Sequence, residues 1–450
     1  MCGAEAPPLK DQTGLGEIMY AMGLRSTRAR RLSLAVILML LLSMLAVLAG
    51  CGTEESTTLT TGATTSTAGA TTSVTGATTT VSTEGPSPSS AWVLPELSIL
   101  TGPGAPFGAD AQWGALYAVK EINAAGGMAG RPIDMKSLDT AMDPGKAVTE
   151  MTNAVAMNPI AIIGPMDQIS TTAAGQVAVD AGIPFFGSFN DAADLASYGG
   201  WGISLYPFIP DMAEAGIKLW VEANPDIKSV VIFTVPSDPA LIGGSAAAAE
   251  TFKTLGITVL GAIDTTAGQM DMSAPAIKAI SLKPDGYYSV LNSEEQARLT
   301  VELRKRGVTE GRRVCAGAGA NGATFYEVGG QALNDTFIWD VADINNTSER
   351  WQNLVAAYTA DHAGALPYSL AITGQYNAVW ALKTAIEAIG ATGDSGKIAE
   401  ERTKIKEYLL NATGIPGAQG PFDYVEGSFS GPCLLFQIKD AKPVLASSRK

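Results

Sequence analysis

The sequence predicts an α/β protein with parallel sheets and helices on both faces, and three observations carry that prediction. From Leu97 onward, short β-branched runs alternate with Ala-rich stretches of helical length, the order that gives parallel sheets. Trp113, Leu116, Val119 and Ile122 recur every third residue between the first two runs, marking one apolar face of a helix. The chain has 450 residues, 46% of them hydrophobic and 16% charged, enough to bury a large core without disulfide staples.

In chain order the expected strands are Leu97–Leu100, Ile133–Ser137, Ile160–Gly164, Pro184–Gly187, Val230–Phe233, Thr258–Gly261, Gly286–Leu291 and Val314–Ala316. Asp110 is a candidate cap for the first helix, and Gly126-Gly127 a candidate stop. Ligands of open parallel sheets bind outside the carboxyl ends of the strands. The loops after Leu100, Gly164, Gly187 and Leu291 are therefore where function is expected. The loop after Ile163 leads into a helix starting near Asp167–Ser170. Its free backbone N–H groups, helped by Ser170 and Thr171, suit an anionic or carbonyl oxygen.

The formal net charge is −14. Residues 1–50 carry five basic and three acidic side chains, so the rest of the chain stands at −16. Such a surface repels nucleic acid, which is excluded as a partner. A single histidine, His362, rules out a multi-histidine metal site, and no metal or cofactor is expected. Four cysteines are present, of which Cys315 and Cys433 belong to the globular part. They are free to pair in an oxidising compartment only if geometry allows.

Arg25, Arg28, Arg30 and Arg31 precede an apolar run from Leu32 to Ala49, which ends Leu48-Ala49-Gly50-Cys51. A basic segment, an apolar segment and small residues before a cut define a secretory signal, and the ending matches the lipobox of bacterial lipoproteins. Residues 1–50 are read as the signal peptide, with Met19 and Met22 as alternative starts, and Cys51 as the lipidated residue. An uncleaved membrane anchor is the alternative, since about 18 apolar residues just span a bilayer. Residues 51–92 are read as a tether. Between 53 and 90 little occurs but Thr, Ser, Gly and Ala, with Gly-Ala-Thr-Thr repeated at Gly62, Gly69 and Gly76. That composition buries too little surface to offset its ordering entropy. Its reach averages roughly 35 Å as a coil. The expected location is the outer face of the cytoplasmic membrane, in periplasm or cell wall.

Several ordered segments carry a resemblance. They are LTGPGAPFG (Leu100–Gly108), AVKEINAAGGMAGRPI (Ala118–Ile133), DTAMDPGKAV (Asp139–Val148), AIIGP (Ala161–Pro165), VAVDAGIPF (Val177–Phe185), KPDGYYSV (Lys283–Val290) and GQYNAVWAL (Gly374–Leu382). Together they resemble the type I periplasmic binding proteins, specifically the leucine/isoleucine/valine-binding family of ABC transporters. The resemblance implies two doubly wound, Rossmann-like lobes joined by three crossovers, near Phe208–Asp211, Trp339–Ile344 and Gly420–Tyr424. Lobe 1 is then 93–209 plus 343–421, and lobe 2 is 210–342 plus 422–450. It also implies a monomer that binds a small molecule and serves an ABC permease and ATPase; a sensory receptor of the same fold, feeding a signalling partner, is the alternative. Carried over position by position, the ligand shell is Phe107, Gln168, Phe189, Asn190 and Asp191, with Asn292 reaching across and Ser170 at the helix start.

Amino-acid-binding relatives place hydroxyls at the positions of Gln168 and Asp191 and an acid at that of Ala318. They also carry an aromatic residue where this chain has Leu241-Ile242-Gly243. Asp191 would oppose a carboxylate, and Ala318 leaves an ammonium without a counter-charge. An amide, an organic acid or an aromatic compound is expected instead of a free amino acid.

Other motifs have simpler readings. Gly317-Ala-Gly319-Ala-Asn-Gly322 fits a dinucleotide loop with Asp340 about twenty residues on, but a Gly-rich turn at the cleft rim is expected. His362 lacks a nucleophile partner and reads as a helix end, Cys315 reads as core, and one of Tyr287 and Tyr288 is expected in the core. No enzyme activity is expected.

Overall fold

The computed structural model describes residues 91–102 and 104–449. The signal peptide, Cys51 and the Thr/Ser-rich segment 53–90 lie outside the described residues.

The first half runs Trp92–Ser98 (β1), Ala105–Ala124 (α1), Ile133–Asp139 (β2), Pro144–Ala156 (α2), Ile162–Ile163 (β3), Gln168–Asp180 (α3), Phe185–Gly187 (β4), Ala192–Ala196 (α4) and Gly202–Ser204 (β5). Its five strands are all parallel, in the order β2-β1-β3-β4-β5. The chain continues through Ile209–Ala223 (α5), Ser229–Thr234 (β6), Pro239–Thr254 (α6), Thr258–Asp264 (β7), Ser273–Ser281 (α7), Gly286–Ser289 (β8), Ser293–Lys305 (α8), Val314–Ala316 (β9), Ala323–Gly329 (α9) and Phe337–Asp340 (β10). These strands are again parallel, in the order β7-β6-β8-β9-β10. Both sheets thus wind outward from their first strand in the same way, placing a topological switch point between β1 and β3 and another between β6 and β8.

The chain then forms Glu349–Asp361 (α10), Ser369–Ile389 (α11) and Ile398–Leu410 (α12). A small antiparallel sheet follows, made of Ile415–Gly417 (β11), Gly420–Val425 (β12) and Ser428–Ser430 (β13). Cys433–Lys439 (β14) joins the second sheet antiparallel to β10, and Lys442–Arg449 (β15) extends it. The expected third crossover, Gly420–Tyr424, lies within β12, which pairs with β11 and β13; the chain reaches the second sheet only at Cys433. The other two passages fall close to their expected places, at Leu205–Phe208 and just after Asp340.

All eight expected strands form. The first begins earlier than expected, because Trp92 is 3% exposed and its indole N–H donates to the Met128 carbonyl at 2.9 Å. The Arg131 guanidinium stacks on that ring at 3.9 Å. Residues 91 and 92 therefore belong to the folded part rather than to a tether.

The helix α1 buries Ala111, Gly114, Ala115, Ala118, Val119 and Ile122, while Leu116 is 44% exposed. The packed face is thus rotated from the large-residue stripe toward the small residues. The reason is close approach to α11: a Cβ on Gly114 would stand 2.4 Å from the Ile372 carbonyl oxygen. Asp110 does not cap α1, which starts five residues earlier; it accepts from the Tyr358 hydroxyl at 2.6 Å and the Tyr368 N–H at 2.7 Å. Gly126 and Gly127 both take positive φ and end the helix as expected.

Tyr287 and Tyr288 are both buried, since helices cover both faces of the sheet. The Tyr288 hydroxyl accepts from the Trp339 indole at 3.0 Å. Cys315 and Cys433 are buried free thiols.

Candidate functional site

The carboxyl ends of the two sheets meet along a cleft. The turn after β3 needs a glycine: Gly164 has φ +93°, and a Cβ there would stand 2.3 Å from the Leu97 carbonyl oxygen. That turn delivers Asp167 to the start of α3, where its carboxylate accepts the Ser170 N–H at 2.8 Å. Across the cleft, Asp238 caps α6 in the same manner, accepting from Ala240 and Leu241 at 2.9 and 3.2 Å. Helices α3 and α6 touch, and the Asn190 side chain lies against Gly243, where a Cβ would stand 3.2 Å from Asn190 Nδ2.

Asp167 is buried, and loss of solvent pushes its carboxyl above the usual range. The Ser170 amide opposes that rise, and the charge of Asp238 adds to it. Several buried polar atoms here have no partner among the described residues: Asp167 Oδ2, Gln168 Oε1, Ser170 Oγ, Asn190 Oδ1 and the Tyr206 hydroxyl. Burial raises the Tyr206 hydroxyl too, and the charges of Asp167 and Glu96 raise it further.

The structure brings four of the predicted ligand residues to this place. The Phe107 ring lies edge-on to Tyr368 at 4.9 Å and tilted to Tyr206 at 6.4 Å. Gln168 donates from Nε2 to Thr172 Oγ1 at 2.9 Å, which turns its Oε1 away into the unpartnered set. Ser170 and Asn190 complete the four.

The other three do not join this unpartnered set. Phe189 is 2% exposed and packs on Phe185 and Tyr198, so the core takes it up. Asp191 is exposed and caps α4, accepting from Ala193 and Asp194 at 2.9 Å each. Asn292 is exposed at the head of α8 and makes no capping bond. The expected free N–H groups at the start of α3 are also partly used, since Asp167 itself takes that of Ser170.

Two residues that matter were not among those predicted. Asp167 was legible as the acidic residue heading an expected helix, three positions before a serine. Tyr206 follows β5, a three-residue strand too short to show in the sequence.

A separate cavity of about 220 Å³ lies where the three passages between the sheets converge. It is lined by Tyr206, Ala342, Asn377, Gln419, Phe422 and Pro432, among others, and by none of the seven predicted ligand residues. The glycine-rich segment 317–322 forms a 3₁₀ turn, and Asp340 is buried against it, accepting from Asn321 at 2.6 Å. That is a structural role, not a ribose contact. No group of three or more metal-ligating side chains occurs among the described residues.

Two doubly wound lobes, joined by three passages and holding unpartnered polar atoms where they meet, are the arrangement of a solute-binding protein. The chain belongs to the periplasmic binding protein family, whose sequence pattern matches residues 96–443. It is 26% identical over 332 residues to the Leu/Ile/Val-binding protein BraC3 of Rhizobium johnstonii, covering 73% of this chain and 86% of that one. Among solved structures, the branched-chain amino acid transporter substrate-binding protein LivJ of Streptococcus pneumoniae, in complex with isoleucine, superposes with a TM-score of 0.68. It is 20% identical, covering 80% of this chain and 98% of that one. A solute-binding protein of an ABC transporter from R. palustris, in complex with benzoate, also gives 0.68 at 17% identity, covering 80% and 96%.

Proposed function

We propose that the protein is an exported, lipid-anchored receptor that captures a small organic solute between its lobes and hands it to an ABC importer. Solute capture is carried by one observation: Asp167, Gln168, Ser170 and Tyr206 each leave a buried polar atom without a partner at the carboxyl ends of the strands. Folded proteins rarely leave such atoms bare, and a ligand's polar groups would complete them. The first lobe comprises 92–208 and 341–430, and the second 209–340 and 433–449. Closure turns on the three passages between them, a hinge motion of a few residues each. The family match and the Leu48-Ala49-Gly50-Cys51 ending support export and attachment through Cys51.

The relatives' named ligands, leucine, isoleucine, valine and benzoate, set the size class. Thermal unfolding of the ligand-stripped protein against a library of small organic solutes tests the reading. A true ligand at a hundred times its Kd adds about 2.7 kcal/mol to stability, a clear rise in midpoint. If a library spanning amino acids, amides, amines, organic acids and aromatic compounds produces no such rise, solute capture is refuted.

A further inference from the structure

We infer that the solute is a small organic ammonium compound whose N–H groups donate to Asp167, and that it is held without any need for a carboxylate. This rests on the solute-binding reading above and concerns the same cleft.

At the starts of α3 and α6 the electrostatics oppose an anion. A carboxylate would seek the backbone N–H groups at the start of α3, but Asp167 places its own carboxylate there, 2.8 Å from the Ser170 nitrogen. Across the cleft the start of α6 is filled in the same way by Asp238. The starts of α3 and α6 are therefore already neutralised by the chain's own acids, and a third carboxylate placed between them would meet two negative charges.

The same geometry welcomes a cation. The second oxygen of Asp167 has no partner and no ion pair among the described residues, and the charge of Asp238 acts on the same carboxylate. A buried carboxylate in that state is costly until a counter-charge arrives. An ammonium offers three N–H donors and no acceptor. Asp167 Oδ2 and Gln168 Oε1 are acceptors, the latter fixed in orientation by its Nε2 bond to Thr172. The hydroxyl of Ser170, which is fully buried, or of Tyr206, 8% exposed, supplies a third oxygen. Phe107, Tyr206 and Tyr368 form an aromatic wall beside these groups, which suits the apolar body of an amine and adds cation–π attraction.

Calorimetry on the ligand-stripped full chain tests this with pairs that share a skeleton and differ in charge: 3-methylbutylamine against 3-methylbutanoate, benzylamine against benzoate, and leucinamide against leucine. In at least one pair the amine or amide should bind at least tenfold more tightly than the carboxylate, and no carboxylate should bind more tightly than its partner. Asp167→Asn keeps the helix cap, because Asn caps as well as Asp. It should weaken the amine at least tenfold and leave carboxylate binding unchanged or tighter. Carboxylates that bind while amines do not, or amine affinity untouched in Asp167→Asn, would overturn the ligand class and leave solute capture standing. If no probe of either charge binds, the ligand class is overturned, and the library experiment alone then decides solute capture.

Discussion

Replacing Glu96 by Gln should make the protein less sensitive to pH, and in a direction that the structure dictates. Glu96 lies in the middle of β1, completely buried, and burial raises its carboxyl from 4.5 to about 7 against the weaker pull of Ser98, Ser137 and Gln375. Its Oε1 accepts from the Ser98 hydroxyl, which in turn accepts from Gln375 Nε2 at 3.0 Å. Glu96 Oε2 and Gln375 Oε1 are both without partners. With burial favouring the uncharged form, the native state holds a proton on this carboxyl below about pH 7. Between pH 4.5 and 7 the unfolded chain has released it and the folded chain has not. Stability at this site is therefore fully present below pH 4.5 and is lost as pH rises to 7. A difference of 2.5 units, at 1.36 kcal/mol each, amounts to about 3 kcal/mol. Gln keeps the shape and a donor in place of the acid proton, and has nothing to release. Urea unfolding at pH 4.5 and pH 8, followed by tryptophan fluorescence, should show the variant gaining about 3 kcal/mol on the wild type across that interval. Asp340, raised to about 7 mainly by burial, gives the same slope in both proteins and cancels from the difference. Parallel pH profiles for the two proteins would refute the reasoning.

Other perturbations follow from single contacts. Gly114→Ala puts a methyl group 2.4 Å from the Ile372 carbonyl oxygen and should cost at least 2 kcal/mol in unfolding free energy as α1 is forced off α11; a loss under 0.5 kcal/mol would show that the two helices separate freely. Trp92→Ala removes a buried ring and should cost about 3–5 kcal/mol, whereas deleting residues 53–90 should leave ligand affinity within threefold by calorimetry. A tenfold loss on that deletion would place the segment in the binding site. Cys51→Ala should release the protein from the membrane fraction, and mass spectrometry of the wild type should find a diacylated N-terminus; an unmodified peptide spanning Gly50–Cys51 in the bulk of the protein would count against the anchor.

What the sequence made legible was whatever depends on short-range pattern. Val230–Phe233 and Val314–Ala316 are β-branched or small runs between turn residues, and they form strands where expected. The helix α1 was legible as a helix but not as to which face it buries. That choice is made by α11, more than two hundred residues away, whose carbonyl at Ile372 admits only a glycine opposite. Among the strands that were not anticipated, β12 does alternate, burying Phe422 and Tyr424 between exposed Pro421, Asp423 and Val425, whereas β14 is buried along most of its length and reads as a plain apolar run. In the cleft, positions counted along the chain named Phe107, Gln168, Ser170 and Asn190, which the structure brings near one another. Counting did not reveal that Asp191 would spend its carboxylate on the N–H groups of Ala193 and Asp194. Nor did it show that Asp167 would be the buried acid instead.

The pairing of β14 with β10 also sets an order of assembly. Phe337 pairs with Gln437 and Asp340 with Leu434, so the outer edge of β10 stays bare until the last stretch of chain arrives. In the first lobe, α1 likewise waits for Ser369–Ile389 to cover its small-residue face. Neither lobe can therefore be completed before the last part of the chain has been made, and non-local closure of this kind is slow. Its cost is an uncovered Phe337-Ile338-Trp339 edge, open to wrong pairing until β14 comes through.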